Sequence, residues 1–138
     1  MTNELMIHTD GGARGNPGSA AIGVVIEKDG KLIHQFGKRI GESTNNVAEY
    51  TAVIEALRYL KDKGVAHAHF FLDSVLVVNQ LTGKFKIKDA KLRTLLFEIR
   101  SLEQEVRGVI TYSAVPRERN KLADLLVNQA LDELENRT

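Results

Sequence analysis

The chain has 138 residues, 43% of them hydrophobic and 27% charged, with a net charge of +1 and no cysteine. That size and composition fit one globular domain over residues 1–138 with a core of its own. The small net charge excludes a global field that would select an acidic or nucleic-acid partner, so any such surface is a local patch. The lack of cysteine excludes a disulfide frame and a thiolate metal site, and it fits a reducing cytoplasm. No apolar run approaches transmembrane length, and the first nine residues do not read as a signal peptide. Asn136, Arg137 and Thr138 match a glycosylation acceptor, which is discounted where no secretion signal is read.

Residues 4–9 read as a first strand. The strand runs into Asp10 and then a segment with Gly11, Gly12, Gly15, Pro17 and Gly18, which is expected to be the loop that joins the first two strands. An acid at the end of an apolar strand, before a chain that must bend, fits a functional carboxylate. It fits equally a solvated aspartate opening a hairpin loop. Residues 20–27 alternate Ile22, Val24 and Ile26 with smaller side chains, Asp29-Gly30 signals a hairpin, and residues 31–38 return antiparallel. The first three strands are therefore expected to form a meander.

Ser43, Thr44, Asn45 and Asn46 offer helix N-caps, and residues 47–63 carry an apolar stripe of Val53, Ile54, Leu57 and Leu60, with Gly64 as the expected C-cap. Residues 66–72 form a fourth strand that ends at Asp73-Ser74. A short helix is expected over 75–81, closed by Gly83, and an amphipathic helix over 92–106. Residues 109–115 are the fifth strand. A loop over 116–119 and a cap at Asn120 lead into a last helix reaching residue 135. The order β-β-β-α-β-α-α-β-α predicts a mixed five-stranded sheet, three antiparallel strands plus two parallel additions by right-handed crossovers, flanked by helices.

Two strands thus end in an aspartate followed by a small residue, at Asp10-Gly11 and Asp73-Ser74. If they are parallel neighbours, both acids emerge at the edge where α/β sheets bind ligands. Glu49, early in the first helix, can point there. Asp124, in the first turn of the last helix among Leu122, Ala123, Leu125 and Leu126, is a fourth acid. Converging carboxylates without a compensating lysine raise one another's pKa values, a cost that a divalent cation removes. Hard oxygen ligands suit magnesium or manganese, and two such ions about 4 Å apart suit in-line phosphoryl displacement. Each acid alone also fits an ordinary role, as a turn residue or an acid at a helix start. Four in this pattern fit that reading poorly.

The segments Thr9 to Gly18 (TDGGARGNPG), Thr44 to Glu49 (TNNVAE), Leu72 to Ser74 (LDS) and Asn120 to Asp124 (NKLAD) resemble ribonuclease H of type 1, in the order of that family and over nearly the whole chain. The resemblance implies a ribonuclease H-like fold and endonucleolytic hydrolysis of the RNA strand of RNA–DNA hybrids, leaving 5′-phosphate and 3′-hydroxyl ends. It implies two Mg2+ ions, with Mn2+ as an alternative, held by Asp10, Glu49, Asp73, Asp124 and the Gly11 backbone. It implies substrate contacts from Gly12, Asn16, Thr44, Asn45, Asn46 and Ser74, in a monomer acting in the cytoplasm without a membrane. Asparagine amides suit base edges and 2′-hydroxyls in a shallow minor groove, and Thr44 at a helix start can hold a phosphate. Capping by the same Ser-Thr-Asn-Asn run is the ordinary alternative.

The chain departs from the family pattern in four places. Val75 stands where many relatives carry glutamine, and Glu42 stands where bacterial relatives often have a basic residue beside a phosphate pocket. Ala114 is nearest the position of a histidine thought to aid catalysis or product release, so that role is lost or passes to Arg117 or Arg119. A long basic insertion found in some bacterial relatives is missing. The one dense basic run, Lys84, Lys86, Lys88, Lys91 and Arg93, is either a phosphate-backbone contact or a solvated face. His67 and His69 share one strand face, with His8 expected on the neighbouring strand. These histidines read as packing or supporting groups rather than a separate zinc site. Two other functions stay open on the sequence: a non-catalytic hybrid-binding module, and another nuclease of the same fold such as a junction resolvase or integrase-like enzyme.

Overall fold

The computed structural model describes residues 3–136, so part of the 136–138 triplet lies outside the described residues. Five strands, β1 (Glu4–Gly15), β2 (Gly18–Lys28), β3 (Lys31–Ser43), β4 (His67–Leu72) and β5 (Val109–Ala114), form one sheet in the order β3-β2-β1-β4-β5. The β1–β2 and β2–β3 pairs are antiparallel, and the β1–β4 and β4–β5 pairs are parallel. The helices are α1 (Asn45–Leu60), α2 (Val75–Leu81), α3 (Ala90–Val106) and α4 (Lys121–Asn136), with a single 3-10 turn at Arg117–Arg119 before α4. The expected order and the mixed sheet are both present. Among the described residues, no helix is long and apolar enough to cross a membrane.

Period-two alternation along β2 decides how the helices are shared between the faces. Val24 and Ile26 point into the main core with Ile7, Phe70, Leu57 and Leu60, beneath α1, α2 and α3. Their neighbours Ala21 and Val25 point the other way, to Val127, Ala130, Leu131, Ala123 and Leu126 of α4. Phe70 is fully buried at the centre of the larger layer, and burying a side chain of that size stabilises by roughly 1.5–3 kcal/mol. A buried hydrogen bond from Tyr50 Oη to Gln80 Oε1, 2.6 Å, ties α1 to α2.

Helix starts are set by side chains. Thr44 Oγ1 accepts from Val47 N at 3.2 Å, Ser74 Oγ from Val77 N at 3.2 Å, and Asp89 Oδ1 from Leu92 N at 3.0 Å, each satisfying an otherwise orphan N–H. Thr44 is thus the cap within the Ser-Thr-Asn-Asn run. Helix α1 stops at Leu60 rather than running to residue 63, because Lys61 leaves helical geometry with ψ 135. Helix α3 begins two residues before the expected start, where Asp89 caps it.

The glycine-rich segment differs from expectation. It is not a loop: β1 continues through Asp10, Gly11 and Gly12 to Gly15, paired with β2 as far as Gly15 opposite Gly18. The turn is confined to Asn16 and the cis Asn16-Pro17 bond. Strand β3 is likewise longer than read, and Glu42 and Ser43 pair with Ser19 and Gly18. The physical reason is that Gly11 serves close packing rather than turning. A Cβ there would lie 2.3 Å from the backbone carbonyl of Ala48, so only glycine lets α1 lie this close on β1. Asp10 is therefore within a strand. Its parallel pairing with β4 has already ended at His8 opposite Phe71.

Candidate active site

The register that places His8 opposite Phe71, carried two residues on, puts Asp10 beside Asp73 just beyond the last residue of β4. Glu49 comes down from α1 onto the same edge because Gly11 admits the helix backbone at Ala48 and Glu49. One carboxylate oxygen from each of Asp10, Glu49 and Asp73 lies within 4.8 Å of the other two. Asp124 projects from the first turn of α4, close enough that its charge raises the pKa of Asp10. All four acids line one cavity of about 470 Å³, together with Gly11, Gly12, Asn45, Asn46, Ser74 and Arg117.

Asp10 and Glu49 are 7% and 8% exposed, and this burial governs their protonation. Loss of hydration, then the charges of Asp73 and Asp124, push Asp10 up to about 7. Glu49 is pushed well above the usual carboxylate range, first by burial and then by the charges of Asp10 and Asp73, while Arg117 opposes the shift. Glu49 Oε2 is buried with no hydrogen-bond partner. An orphaned carboxylate oxygen inside an all-oxygen cluster is costly for the protein alone and fits a hard divalent cation as the missing partner.

Asn120 is a site residue that its sequence position did not disclose. Expected only to cap the last helix, it is 1% exposed and its Nδ2 donates to Thr9 O at 3.0 Å and to Asp73 Oδ2 at 3.4 Å. It joins the start of α4 to β1 and to one of the acids. Arg14 and Asn128 also line the cavity, and Arg14 Nη2 donates to Asp132 Oδ1 at 2.7 Å. The pattern of carboxylates pointed to none of these.

The proposed substrate residues divide. Gly12, Asn45, Asn46, Ser74 and Arg117 face the acidic cavity. Asn16 and Asn45 clasp the hairpin to α1: Asn45 N donates to Asn16 Oδ1 at 3.0 Å, and Ala13 N donates to Asn45 Oδ1 at 2.8 Å. Thr44 lines a neighbouring cavity with Glu42, Ser43 and Lys91, so Lys91 from α3 supplies a cation beside Glu42. Lys84, Lys86 and Lys88 are exposed in the segment between α2 and α3 and do not line the acidic cavity. Arg119 does not join the acidic cavity; it lines a separate one with His8, Glu27 and Leu122, because the 3-10 turn sends it and Arg117 in different directions. Of the two candidates for the missing histidine, Arg117 alone is at the acids.

This fold and acidic edge define a ribonuclease H-like protein. A family described as reverse transcriptase-like matches residues 8–130. Ribonuclease HI of Halobacterium salinarum is 42% identical over 127 residues, covering 90% of this chain and 62% of that protein. A bifunctional protein of Mycobacterium tuberculosis is 39% identical over 131 residues, which is 94% of this chain but 36% of that protein. The chain therefore spans about a third of the length of that relative. LC11-RNase H1, isolated from compost, has been solved in complex with an RNA/DNA hybrid. It superposes with a TM-score of 0.89 at 43% identity, covering 94% of this chain and 98% of that one. The chain belongs to the ribonuclease HI family.

Proposed function

We propose that this chain is an endoribonuclease that hydrolyses the RNA strand of RNA–DNA hybrids and leaves 5′-phosphate and 3′-hydroxyl ends. The observation that carries the reading is the meeting of Asp10, Glu49 and Asp73 within 4.8 Å, with Asp124 beside Asp10, in a cavity rimmed by asparagines. Asp10, Glu49, Asp73, Asp124 and the Gly11 backbone would hold two Mg2+ ions, or Mn2+ in their place. Such ions, when bound, supply Lewis-acid stabilisation of phosphoryl oxygens and lower the pKa of water.

The protein's own groups do the rest. The carboxylates come from β1, from the end of β4, from α1 and from α4, so the site is fixed by two strands and two helices. Arg117 offers a cation next to Glu49, suited to charge that develops on the reacting phosphate. The Asn16–Asn45 clasp holds α1 against the hairpin, which sets the spacing between the acids and the Asn45 and Asn46 side chains that read 2′-hydroxyls. Thr44 and Lys91 suit a backbone phosphate in the adjoining cavity. We read the enzyme as one catalytic domain, monomeric and cytoplasmic. A non-catalytic hybrid binder is disfavoured, because a concentrated negative centre facing phosphates weakens binding. A resolvase or integrase-like activity shares the fold but gives the asparagines no 2′-hydroxyl to read.

End-labelled RNA–DNA, RNA–RNA and DNA–DNA duplexes, each incubated with magnesium, manganese or chelator, test this. Cleavage of the RNA strand in the hybrid with either metal, and none in chelator, is expected. Preferred cleavage of the DNA duplex, or a hybrid that is bound and never cut, overturns it.

A further inference from the structure

The end of the sheet away from the acids carries a second group of metal-ligating side chains. In the parallel β1–β4 pair, Glu4 is opposite His67 and Met6 is opposite His69. Residues two apart on a strand share a face, so His67 and His69 stand together, with ring centroids 3.9 Å apart. Glu4 reaches the same point: its Oε1 lies 3.8 Å from His67 Nδ1. One ligand atom from each of Glu4, His67 and His69 lies within 4.8 Å of the other two. We propose that these three side chains form a binding site for a divalent transition-metal ion, zinc foremost, with solvent in the remaining positions.

Packing and ion pairing alone leave this cluster poorly satisfied. His67 Nε2 is buried without a hydrogen-bond partner, and the 3.8 Å approach of Glu4 to Nδ1 exceeds hydrogen-bond length. His69 is better ordered: its Nδ1 is 3.0 Å from the Oγ1 of Thr111, the residue opposite it on β5. A hydroxyl that accepts from Nδ1–H leaves the Nε2 lone pair as the ligand, the device that orients metal-binding imidazoles. Four-coordinate zinc, with bonds near 2.0–2.1 Å, sets its ligand atoms about 3.3 Å apart. The three side chains thus need to draw in by about 1–2 Å, and Glu4 is exposed while both histidines are only half-buried.

The donor set separates this site from the acidic one. Two imidazoles and a carboxylate suit zinc, nickel or copper, whereas an all-oxygen cluster suits magnesium or manganese. Glu4 and Asp10 lie on the same strand, six residues and so roughly 20 Å apart, which keeps the two sites independent. His8 follows the packing expectation, stacked on Phe71 at 5.1 Å. His67 and His69 also pack, stacked on each other, and the proposal adds a ligand role to that packing because Glu4, an exposed residue on another strand, completes the set.

The test is calorimetric titration of the tag-free full chain with zinc chloride in excess magnesium, which keeps the carboxylates occupied. One zinc equivalent is expected, retained in Asp10→Asn and weakened at least about tenfold in His69→Gln and in Glu4→Gln, with folding checked by circular dichroism. Cobalt under the same conditions should give visible absorption that His69→Gln abolishes. Zinc uptake lost with Asp10→Asn, uptake unchanged in both site variants, or no uptake at all overturns the proposal. RNA cleavage in magnesium is read alongside and should be the same in Glu4→Gln as in the unaltered chain, so a failure of the ribonuclease reading is seen separately.

Discussion

In the metal-free protein, burial and the neighbouring acids bias Asp10 and Glu49 toward the protonated form. That preference makes single amide substitutions informative. Asp10→Asn keeps the shape and removes a charge that the proposed ions would require. Steady-state cleavage should fall by about a thousandfold or more, the scale of several kcal/mol of lost transition-state stabilisation, while hybrid binding in gel shift persists or tightens. Near-normal turnover by the folded variant would remove Asp10 from the reaction. Glu49→Gln should also abolish most activity, yet in chelator it should melt higher, by roughly 2–6 °C if about 1 kcal/mol of repulsion and burial cost is relieved. A lower melting temperature in chelator would mean that Glu49 is not under electrostatic strain. The four acids stood out as sequence because two follow apolar runs and two lie early in helices, although Asp10 proves to be inside β1 rather than at its end. Asn120 did not, because its amide reaches back to Thr9 across almost the whole chain, and no local pattern encodes such a contact.

At the scale of elements, the position of α4 rests on two glycines, Gly37 beneath Leu126, where a Cβ would lie 2.7 Å from the carbonyl oxygen, and Gly23. A Cβ on Gly23 would lie 2.2 Å from the carbonyl oxygen of Ala123, the residue before Asp124. Gly23→Ala should push the helix off β2, costing about 1–3 kcal/mol by overpacking and lowering kcat because Asp124 moves from Asp10; urea unfolding and kinetics on one preparation read both. Wild-type stability in that variant would mean that α4 adjusts freely. The lysines between α2 and α3 belong to this scale too. Changing Lys84, Lys86 and Lys88 to glutamine should raise KM with little effect on kcat, since charges that hold remote phosphates bind ground and transition states alike. Removing each lysine–phosphate pair should flatten the log–log salt dependence by roughly one unit. An unmoved KM and slope would leave the run a solvated face. Helices and strands were readable from hydrophobic period and caps, and α1 to α4 fall close to their expected places. The glycine-rich segment misled because glycine has two uses that look identical in sequence, bending a chain and letting another backbone approach. Gly11 and Gly23 serve the second, so β1 runs straight through what reads as a turn.

For the whole molecule, the buried acids couple folding to pH. Asp10 has a folded-state value near 7 against an ordinary 3.8, and Glu49 is raised in the same direction. Below the ordinary value both folded and unfolded chains are protonated, and these groups cost nothing. Above it the unfolded chain ionises while the folded chain holds its protons, so metal-free stability should fall from about pH 4 to about pH 7. Melting temperatures in chelator should show that decline, and saturating magnesium should reduce it; a rise over the same range would contradict the burial of these carboxylates. The sheet order carries a further consequence, one of timing. The central strand, β1, comes first in sequence, and its partners on either side are β2, which follows at once, and β4, which follows only after α1. Asp124 comes later still, on the last helix. An elongating or refolding chain therefore carries an incomplete acid set until α4 docks on the sheet, and the pairings that complete it are among the longest in the topology and the slowest to close. On the proposed function the chain is silent while it is half made, and recovery of cleavage after dilution from urea should track the last folding phase rather than the first.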